Sequence, residues 1–144
     1  MAYCIDTNIF IYCADVTSPL HGTALSFLRA QIETNDTLYL PWPVVYSFLR
    51  IVTHPGIFEN PLSPAEAVEN IDQLTSRPNV EMLSSTEASW HIYQHIHQEL
   101  KLRGNIIPDA QIVSILAANG IRTLYTNDRD FWKFTELQPV NPFS

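Results

Sequence analysis

The spacing of apolar residues along the chain predicts strands that alternate with helices. Short apolar runs that stop at turn residues predict strands over 2–5, 36–40, 79–83 and 122–126. Apolar residues three and four apart predict helices over 20–34, 43–54, 86–102 and 107–120, and the stretch 128–134 predicts a short helical turn. Another helix is predicted to begin after Ser63, because Ser63 and Glu66 can form a capping box and Pro64 suits the first helical position. In the same way, Pro108 and Gly120 mark the start and the end of the last long helix.

This alternation predicts an α/β fold with a central parallel sheet and helices on both faces. The length of 144 residues and the hydrophobic content of 46% suit one domain over residues 1–144. No apolar run approaches the ~18–20 residues that a membrane span needs, and no signal-peptide pattern is present, so we expect a cytoplasmic protein without a membrane partner. Cys4 and Cys13 are too few for a metal finger, and a disulfide framework is not expected.

The net charge of −7 argues at first against a nucleic-acid partner. The charges are uneven, however: residues 59–99 contain seven acidic side chains and one basic one, which is typical of a solvated helical face. The rest of the chain contains eight acidic and seven basic residues. Four of those eight are the aspartates Asp6, Asp109, Asp128 and Asp130, and without them this part is net positive. RNA therefore stays a possible partner.

Carboxylates follow the first and the last predicted strands. Asp6 comes directly after the first strand in "YCIDTNIF", and Asp128 and Asp130 follow the last one in "LYTNDRDF". The carboxyl ends of parallel strands share one edge of the sheet, where ligands gather, so we expect these side chains to lie there. Asp109, in the first turn of a helix, is the natural third corner.

Carboxylates that meet in this way must become protonated or bind cations. Oxygen ligands suit Mg²⁺ or Mn²⁺, which in turn bind substrate phosphates and activate water. Each aspartate alone is equally typical of a turn or a helix cap. The metal-site hypothesis therefore requires Asp6, Asp109 and Asp128 to meet in space.

Three stretches, "YCIDTNIFIY", "IPDAQIVSILAANG" and "LYTNDRDFWKF", resemble the PIN-domain family, in particular the VapC-type ribonuclease toxins of bacterial toxin–antitoxin pairs. The stretches "FLRIVTHPGIF" and "PLSPAEAVENI" extend the resemblance over nearly the whole chain. It implies a Rossmann-like three-layer PIN domain with Mg²⁺- or Mn²⁺-dependent endoribonuclease activity. It also implies a homodimer that cleaves RNA as the toxin of a type II system and is inhibited by a small antitoxin protein.

The resemblance also implies roles for individual residues. Asp6, Asp109 and Asp128 match the family's catalytic and metal-binding acids, Asp130 is a possible further ligand, and Asn8 and Thr126 match polar residues that hold the acids in place. The family's second acid, usually Glu, does not carry over, because the matching position is Ser47. A hydroxyl is a weak, neutral ligand, so we expect one bound ion rather than two, or reduced activity. Arg50, one helical turn after Ser47, matches a residue that binds a phosphate or pairs with an acid of the site, although a plain surface role is also open.

The sequence is also compatible with two functions other than a nuclease. Ser47 motivates a PIN-like module that binds RNA or a partner without cleaving, and a phosphatase could use the same edge of acids.

His91, His95 and His97 on the long helix lack a further ligand, so we expect a polar helix face rather than a zinc site. The aromatic residues Trp42, Trp90, Trp132, Phe131 and Phe134 could stack on bases, but we expect them to pack in the core or in a dimer. The helices over 20–34 and 43–54 are the predicted partner-facing side.

Overall fold

The structure of the protein, a computed structural model that describes residues 1–144, contains five strands and six α-helices. In chain order they are β1 (Ala2–Ile5), α1 (Thr7–Ala14), α2 (His21–Ile32), β2 (Thr37–Pro41), α3 (Trp42–Val52), α4 (Pro64–Thr75), β3 (Val80–Leu83), α5 (Glu87–Leu100), α6 (Ile106–Ala118), β4 (Thr123–Tyr125) and β5 (Gln138–Val140). A 3-10 helix, Arg129–Lys133, follows β4. The predicted α/β class is confirmed.

The five strands form one parallel sheet in the order β3-β2-β1-β4-β5. The chain leaves β1 toward β2 and β3, and then returns to the other side of β1 as β4. Because crossovers between parallel strands are right-handed, this reversal places α1–α4 on one face and α5 and α6 on the other. The packing agrees, since α1 contacts α2 and α3 while α5 contacts α6. The junction of β1 and β4 is thus the topological switch point, where α/β folds bind ligands.

The central strands and helix α6 supply the largest fully buried side chains. Ile5, Leu38, Leu40 and Leu124 from the sheet pack with Leu116 of α6, and none is more than 1% exposed. Such strands are buried on both faces, which explains why they read as continuous apolar runs rather than as alternating patterns. The core therefore fixes the carboxyl edge of β1 and β4 rigidly.

Most predicted elements are present within two or three residues of their predicted bounds. The capping box at α4 is confirmed: the Glu66 N–H donates to Ser63 Oγ and the Ser63 N–H donates to Glu66 Oε1, both at 3.1 Å. Helix α6 begins at Ile106, so Pro108 is its third residue rather than its first. A proline fits there because the first turn of a helix leaves its N–H groups without helical partners. Gly120, with a φ of +71°, follows the end of α6 as predicted.

Two elements have no counterpart among the predicted ones. Helix α1 has the sequence TNIFIYCA, whose β-branched and aromatic residues favour strands, but its packing on α2 and α3 overrides this preference. Strand β5 contains Pro139, which cannot donate a hydrogen bond to a neighbouring strand, so the sequence does not predict a strand there. Its position at the edge of the sheet, beside β4, makes the proline acceptable.

The remaining expectations concern the histidines, the cysteines and the membrane. On α5, His91 Nε2 lies 3.5 Å from Glu87 Oε1 and His95 Nε2 lies 3.7 Å from Glu99 Oε1, and all four side chains are exposed, which fits a polar face. Both cysteines are free thiols. None of the six helices has the length and apolar character that crossing a membrane requires.

Candidate functional site

The site lies where β1 and β4 end side by side. The Asp6 N–H donates to the Tyr125 carbonyl at 2.9 Å, which joins the ends of the two strands. Asp6 is the residue at the N-cap position of α1, and the Asp128 side chain caps the 3-10 helix. Two chain segments 120 residues apart thus turn away from the sheet at the same edge, and each turn begins with a carboxylate.

Thr126 connects these two turns. Its fully buried hydroxyl donates to Asp6 Oδ2 at 2.7 Å and accepts the Asp128 N–H at 3.0 Å. A hydroxyl with one donor and two acceptor positions is suited to this double role. Thr126 therefore fixes the Asp6 carboxylate relative to the loop that carries Asp128.

Three of the four predicted acids form a tight group. Carboxylate oxygens of Asp109, Asp128 and Asp130 all lie within 4.8 Å of one another. Asp128 Oδ1 also accepts the Asp130 N–H at 3.0 Å, which fixes the 3-10 turn, and Lys133 pairs with Asp130 at 3.2 Å. Asp130, only a possible ligand from the sequence, is thus a full member of the group.

Asp6 lies beside this group rather than in it, because its carboxylate is engaged by Thr126. Only 6% of its surface is exposed. Burial raises its pKa to about 6, although the hydrogen bond from Thr126 lowers it. The charge of Asp128 raises the pKa further, whereas the backbone N–H groups of Thr7 and Asn8 lower it. Asn8 therefore acts on Asp6 through its backbone, and its side chain makes no hydrogen bond with the acids.

The pKa of Asp109 is raised more than that of Asp6. Burial first, and then the charges of Asp6, Asp128 and Asp130, raise its pKa to about 7. All four carboxylates therefore lie close enough to repel one another. A divalent cation would relieve this repulsion, and the donor set, oxygen atoms alone, fits Mg²⁺ or Mn²⁺.

The raised pKa values predict how stability depends on pH when no metal is bound. Unfolded aspartates titrate near pH 4, so between about pH 4 and 7 the folded protein binds more protons than the unfolded one. The free energy of unfolding in EDTA therefore falls as the pH rises through this range, and added Mn²⁺ restores it at pH 8. Urea unfolding at several pH values measures this. Asp109→Asn flattens the decline, whereas an equal decline in wild type and variant would contradict the assignment.

Ser47 and Arg50 are the two predicted residues outside the acidic group. Ser47 is half-buried and lines a groove that also contains Pro108, the neighbour of Asp109. Arg50 is exposed and forms no ion pair, so the alternative in which it pairs with an acid of the site is wrong for this structure. Its guanidinium is open to an external anion.

One contact of the site has no signal in the sequence. Asn127 Nδ2 donates to the Tyr12 hydroxyl at 3.1 Å, which ties the loop before Asp128 to helix α1. Tyr12 also packs against Phe143, and its carbonyl lies 2.9 Å from His21 Nδ1. Because the two partners are 115 residues apart and α1 was not predicted, only the folded chain reveals this support.

The aromatic residues divide into two groups. Phe131 and Phe134 of the loop after β4 are buried, as expected, with ring centroids 6.2 Å apart. The three tryptophans, Trp42, Trp90 and Trp132, are 39%, 56% and 49% exposed. Packing in the core is therefore wrong for them, and packing in a dimer stays a prediction. Their rings lie on helices whose other faces already fill the core.

Comparison with known proteins identifies the class. The family model for the PIN domain matches residues 3–137. The chain is also 37% identical to Ribonuclease VapC48 of Mycobacterium tuberculosis over 144 residues, which cover 100% of this chain and 99% of the relative. The chain therefore belongs to the PIN domain family, in its VapC group.

More distant relatives and solved structures agree with this assignment. Ribonuclease VapC43 of Mycobacterium tuberculosis is 27% identical over 139 residues, or 96% of this chain and 94% of the relative. The structure of VapBC2 from Rickettsia felis, bound to a promoter DNA fragment, matches with a TM-score of 0.71 at 20% identity and 98% coverage of both chains. VapC20 of Mycobacterium tuberculosis, a toxin that cleaves the sarcin–ricin loop, matches with a TM-score of 0.66 at 16% identity, covering 95% and 99%. At these identities the structures establish the shared fold.

Proposed function

We propose that this protein is a metal-dependent endoribonuclease and the toxin of a type II toxin–antitoxin system. The observation that carries the proposal is the convergence of Asp6, Asp109, Asp128 and Asp130 at the switch point of the sheet. The full-length similarity to a protein named as a ribonuclease, VapC48, supports the reaction type. In this reading the substrate is RNA and the scissile bond is a phosphodiester.

The side chains of this site have different proposed roles. Asp109 and Asp128, with Asp130, would hold the cation, and Asp6, fixed by Thr126, would complete the negative charge around it. A bound Mg²⁺ or Mn²⁺ would activate a water and stabilise charge on the phosphate. Arg50, exposed and without an ion-pair partner, is available to bind a phosphate of the RNA backbone. No side chain needs to form a covalent intermediate.

Metal removal tests the activity. We expect the purified protein to cleave RNA in Mn²⁺ or Mg²⁺ and to lose cleavage when EDTA is added, with recovery when the metal is restored. Total RNA and several structured RNAs are incubated with the protein and resolved on denaturing gels. Cleavage that persists in EDTA would contradict a metal-dependent mechanism, and faster hydrolysis of small phosphoesters than of RNA would favour a phosphatase.

Ser47 supports a second candidate function, a PIN module that binds RNA or a partner with weakened cleavage. A serine at this position supplies one negative charge less than the Glu that the family resemblance implies. The variant Ser47→Glu separates the two. If wild type is inactive in Mn²⁺ and the variant cleaves, the binding module is favoured. Wild-type cleavage that equals or exceeds that of the variant favours the enzyme.

The proposed antitoxin requires a surface that receives an apolar segment. Helices α1–α4 border a groove of about 300 Å³ with thirteen lining residues, eleven of them hydrophobic. Its lining includes Leu25 and Leu28 of α2, Val45 and Phe48 of α3, and Leu74 of α4. Such a groove suits the apolar face of an amphipathic helix. It also uses the two helices predicted to face a partner.

We propose that the protein is a cytoplasmic toxin, that it acts as a homodimer and that its antitoxin inhibits it. Light scattering on the purified chain measures the dimer, and a monomer at micromolar concentration would contradict it. Where a small protein is encoded directly beside this chain in the genome, co-expression of the two measures the antitoxin contact. The contact is contradicted if the two proteins separate on affinity purification.

A further inference from the structure

The loop that joins β4 to the 3-10 helix carries two of the four acids, so its position decides whether the acidic group can form. It follows Tyr125, whose carbonyl accepts the Asp6 N–H, and it leads to Phe131, which is 1% exposed. Residues 126–130 lie between these two fixed points. The backbone of Asp128 is extended, with φ −87° and ψ 114°, so the chain leaves the sheet before it turns. A segment that projects in this way depends on lateral contacts for its position.

Two successive side chains of this loop bond to helix α1 and its N-cap. The Thr126 hydroxyl donates to Asp6 Oδ2 at 2.7 Å, and the Asn127 amide donates to the Tyr12 hydroxyl at 3.1 Å. Asp6 stands at the N-cap of α1, and Tyr12 lies six residues later, about 9 Å along the helix axis. A segment that is bonded at one point can pivot about it, whereas two separate points fix both its position and its direction. Asn127 therefore supplies the second point.

The Tyr12 side chain is itself held in place. Its ring packs against Phe143 near the C-terminus, with centroids 6.1 Å apart and planes tilted by 57°. Its backbone carbonyl lies 2.9 Å from Nδ1 of His21, the first residue of α2. Because α1, α2 and the C-terminal segment meet at this residue, the hydroxyl has a defined position. A hydrogen bond to an anchor that is already fixed costs little further side-chain entropy.

The charges of the acids give the loop a reason to move. Carboxylate oxygens of Asp109, Asp128 and Asp130 lie within 4.8 Å of one another, and the charge of Asp128 also raises the pKa of Asp6. Like charges at such separations repel. Asp6 and Asp109 belong to elements that are packed in the core, so in the absence of a cation the projecting loop is the part that yields. The hydrogen bond to Tyr12 opposes this movement.

A neutral hydrogen bond suits this role better than an ion pair does. An amide and a phenol hold the loop without placing a positive charge beside the carboxylates. A buried lysine or arginine in the same place would compete with a metal ion for the acids. Lys133 is a cation of this kind, 3.2 Å from Asp130, but its side chain is 57% exposed and an exposed pair of this type is weak. The neutral contact leaves the full negative charge of the site available to a metal.

We propose that Tyr12 and Asn127 are positioning residues for the metal: their hydrogen bond holds the loop of Asp128 and Asp130 where these acids and Asp109 can share one divalent cation. The proposal rests on the cation site of the proposed nuclease and adds to it two residues that act through the loop rather than on the ion. Removing a group that orients metal ligands from outside typically weakens metal binding by roughly 10- to 100-fold. The contact acts through the backbone, so we expect a loss near the lower end of this range.

Mn²⁺ binding to the metal-free protein, measured by isothermal titration calorimetry without RNA, tests the proposal. Tyr12→Phe removes the hydroxyl and keeps the ring that packs on Phe143. Asn127→Ala removes the amide, and the double variant completes a thermodynamic cycle. Thermal melts followed by circular dichroism verify that each variant is folded.

Two matched controls lose the same chemical groups near the opposite, amino edge of the sheet. Tyr3→Phe removes a hydroxyl that donates to the Gln31 carbonyl at 3.4 Å. Asn79→Ala, directly before β3, removes an amide that donates to the Ile32 carbonyl at 2.8 Å. Both controls should lower the melting temperature and leave the affinity for Mn²⁺ unchanged, which separates a positioning role from a purely structural one.

We expect Tyr12→Phe and Asn127→Ala each to raise the Kd for Mn²⁺ by about tenfold. Because both act through one hydrogen bond, the double variant should bind no more weakly than either single variant. Where the wild type cleaves RNA, a higher Mn²⁺ concentration should restore the rate of Tyr12→Phe, with an unchanged KM for RNA. Wild-type affinity for Mn²⁺ in both single variants, additive losses in the double variant, or an equal loss in the controls would overturn the proposal.

Hydrogen exchange followed by NMR in EDTA tests the position of the loop separately from the metal. The N–H groups of Asp128 and Asp130 donate to Thr126 Oγ1 and Asp128 Oδ1, both at 3.0 Å, so their exchange reports opening of the loop. Tyr12→Phe should speed this exchange by about 2- to 12-fold, the change expected when one hydrogen bond is lost, whereas Tyr3→Phe should not. Faster exchange in a protein that binds no Mn²⁺ supports the role of Tyr12 and contradicts the proposed nuclease. Unchanged exchange in Tyr12→Phe overturns the proposal, whether or not Mn²⁺ binds.

Discussion

Asp6→Asn lowers RNA cleavage in Mn²⁺ by roughly 10²- to 10³-fold, the scale seen when one preorganised electrostatic group is removed from a reaction site. Asparagine has the same shape, and its carbonyl oxygen can still accept the Thr126 hydroxyl that now lies 2.7 Å from Asp6 Oδ2. The change therefore removes the charge beside Asp109 and Asp128 without disturbing the strand ends. Rates are measured on a labelled RNA that the wild type cleaves.

The stability of the same variant gives an internal control. Because burial raises the pKa of Asp6 to about 6, the folded protein holds the ionised form at a cost at neutral pH. Asp6→Asn should therefore melt at or above the wild-type temperature in EDTA, which separates lost chemistry from lost folding. Asp72→Asn, at an exposed position on α4, should cleave at the wild-type rate. Near wild-type cleavage by Asp6→Asn would remove Asp6 from the proposed site.

Phe131→Ala is expected to reduce the free energy of unfolding by about 3–5 kcal/mol, the usual range for a fully buried phenylalanine. Phe131 is 1% exposed and is the residue of the 3-10 helix that enters the core, where it packs beside Phe134. It directly follows Asp130, so its loss also loosens the loop that carries two of the four acids. Urea denaturation measures the stability, and cleavage should fall as well.

The exposed neighbour of Phe131 is the matched comparison. Trp132→Ala, in the same 3-10 helix, should change the unfolding free energy by no more than about 0.5 kcal/mol, as is usual for surface positions. If Phe131→Ala costs less than about 1 kcal/mol, the loop is not anchored through this ring. In that case the grouping of Asp128 and Asp130 with Asp109 requires another support.

The sequence predicts which acids lie close together better than it predicts the elements of the fold around them. Asp6 and Asp128 follow apolar runs, and in a parallel sheet the ends of such runs share one edge, so their proximity follows from topology alone. Helix α1 could not be predicted because TNIFIYCA favours a strand until α2 and α3 are packed against it. Strand β5 was hidden by Pro139, which is acceptable only at an edge.

Within the site, spacing along the chain does not reveal how each acid is oriented. The sequence ranks Asp130 behind Asp6 as a metal ligand, whereas in the structure Asp130 joins Asp109 and Asp128 and the carboxylate of Asp6 is engaged by Thr126. Asp130 joins the group because the 3-10 turn brings it back toward Asp128, and this turn geometry cannot be read from the spacing. Likewise, the exposure of Trp42 and Trp90 depends on which helix face meets the core, and their apolar character alone does not distinguish packing in the core from packing in a dimer.

The proposed nuclease requires Asp109, Asp128 and Asp130 to hold one divalent cation, with Asp6 at the end of β1 beside them. Crystals grown without metal and then soaked in Mn²⁺ test this most directly, through anomalous scattering recorded near the manganese edge. We expect an anomalous peak among the carboxylates of Asp109, Asp128 and Asp130, and its loss in Asp109→Asn. Ordered carboxylates with no peak between them at saturating Mn²⁺, or a peak that is unchanged in the variant, would contradict it.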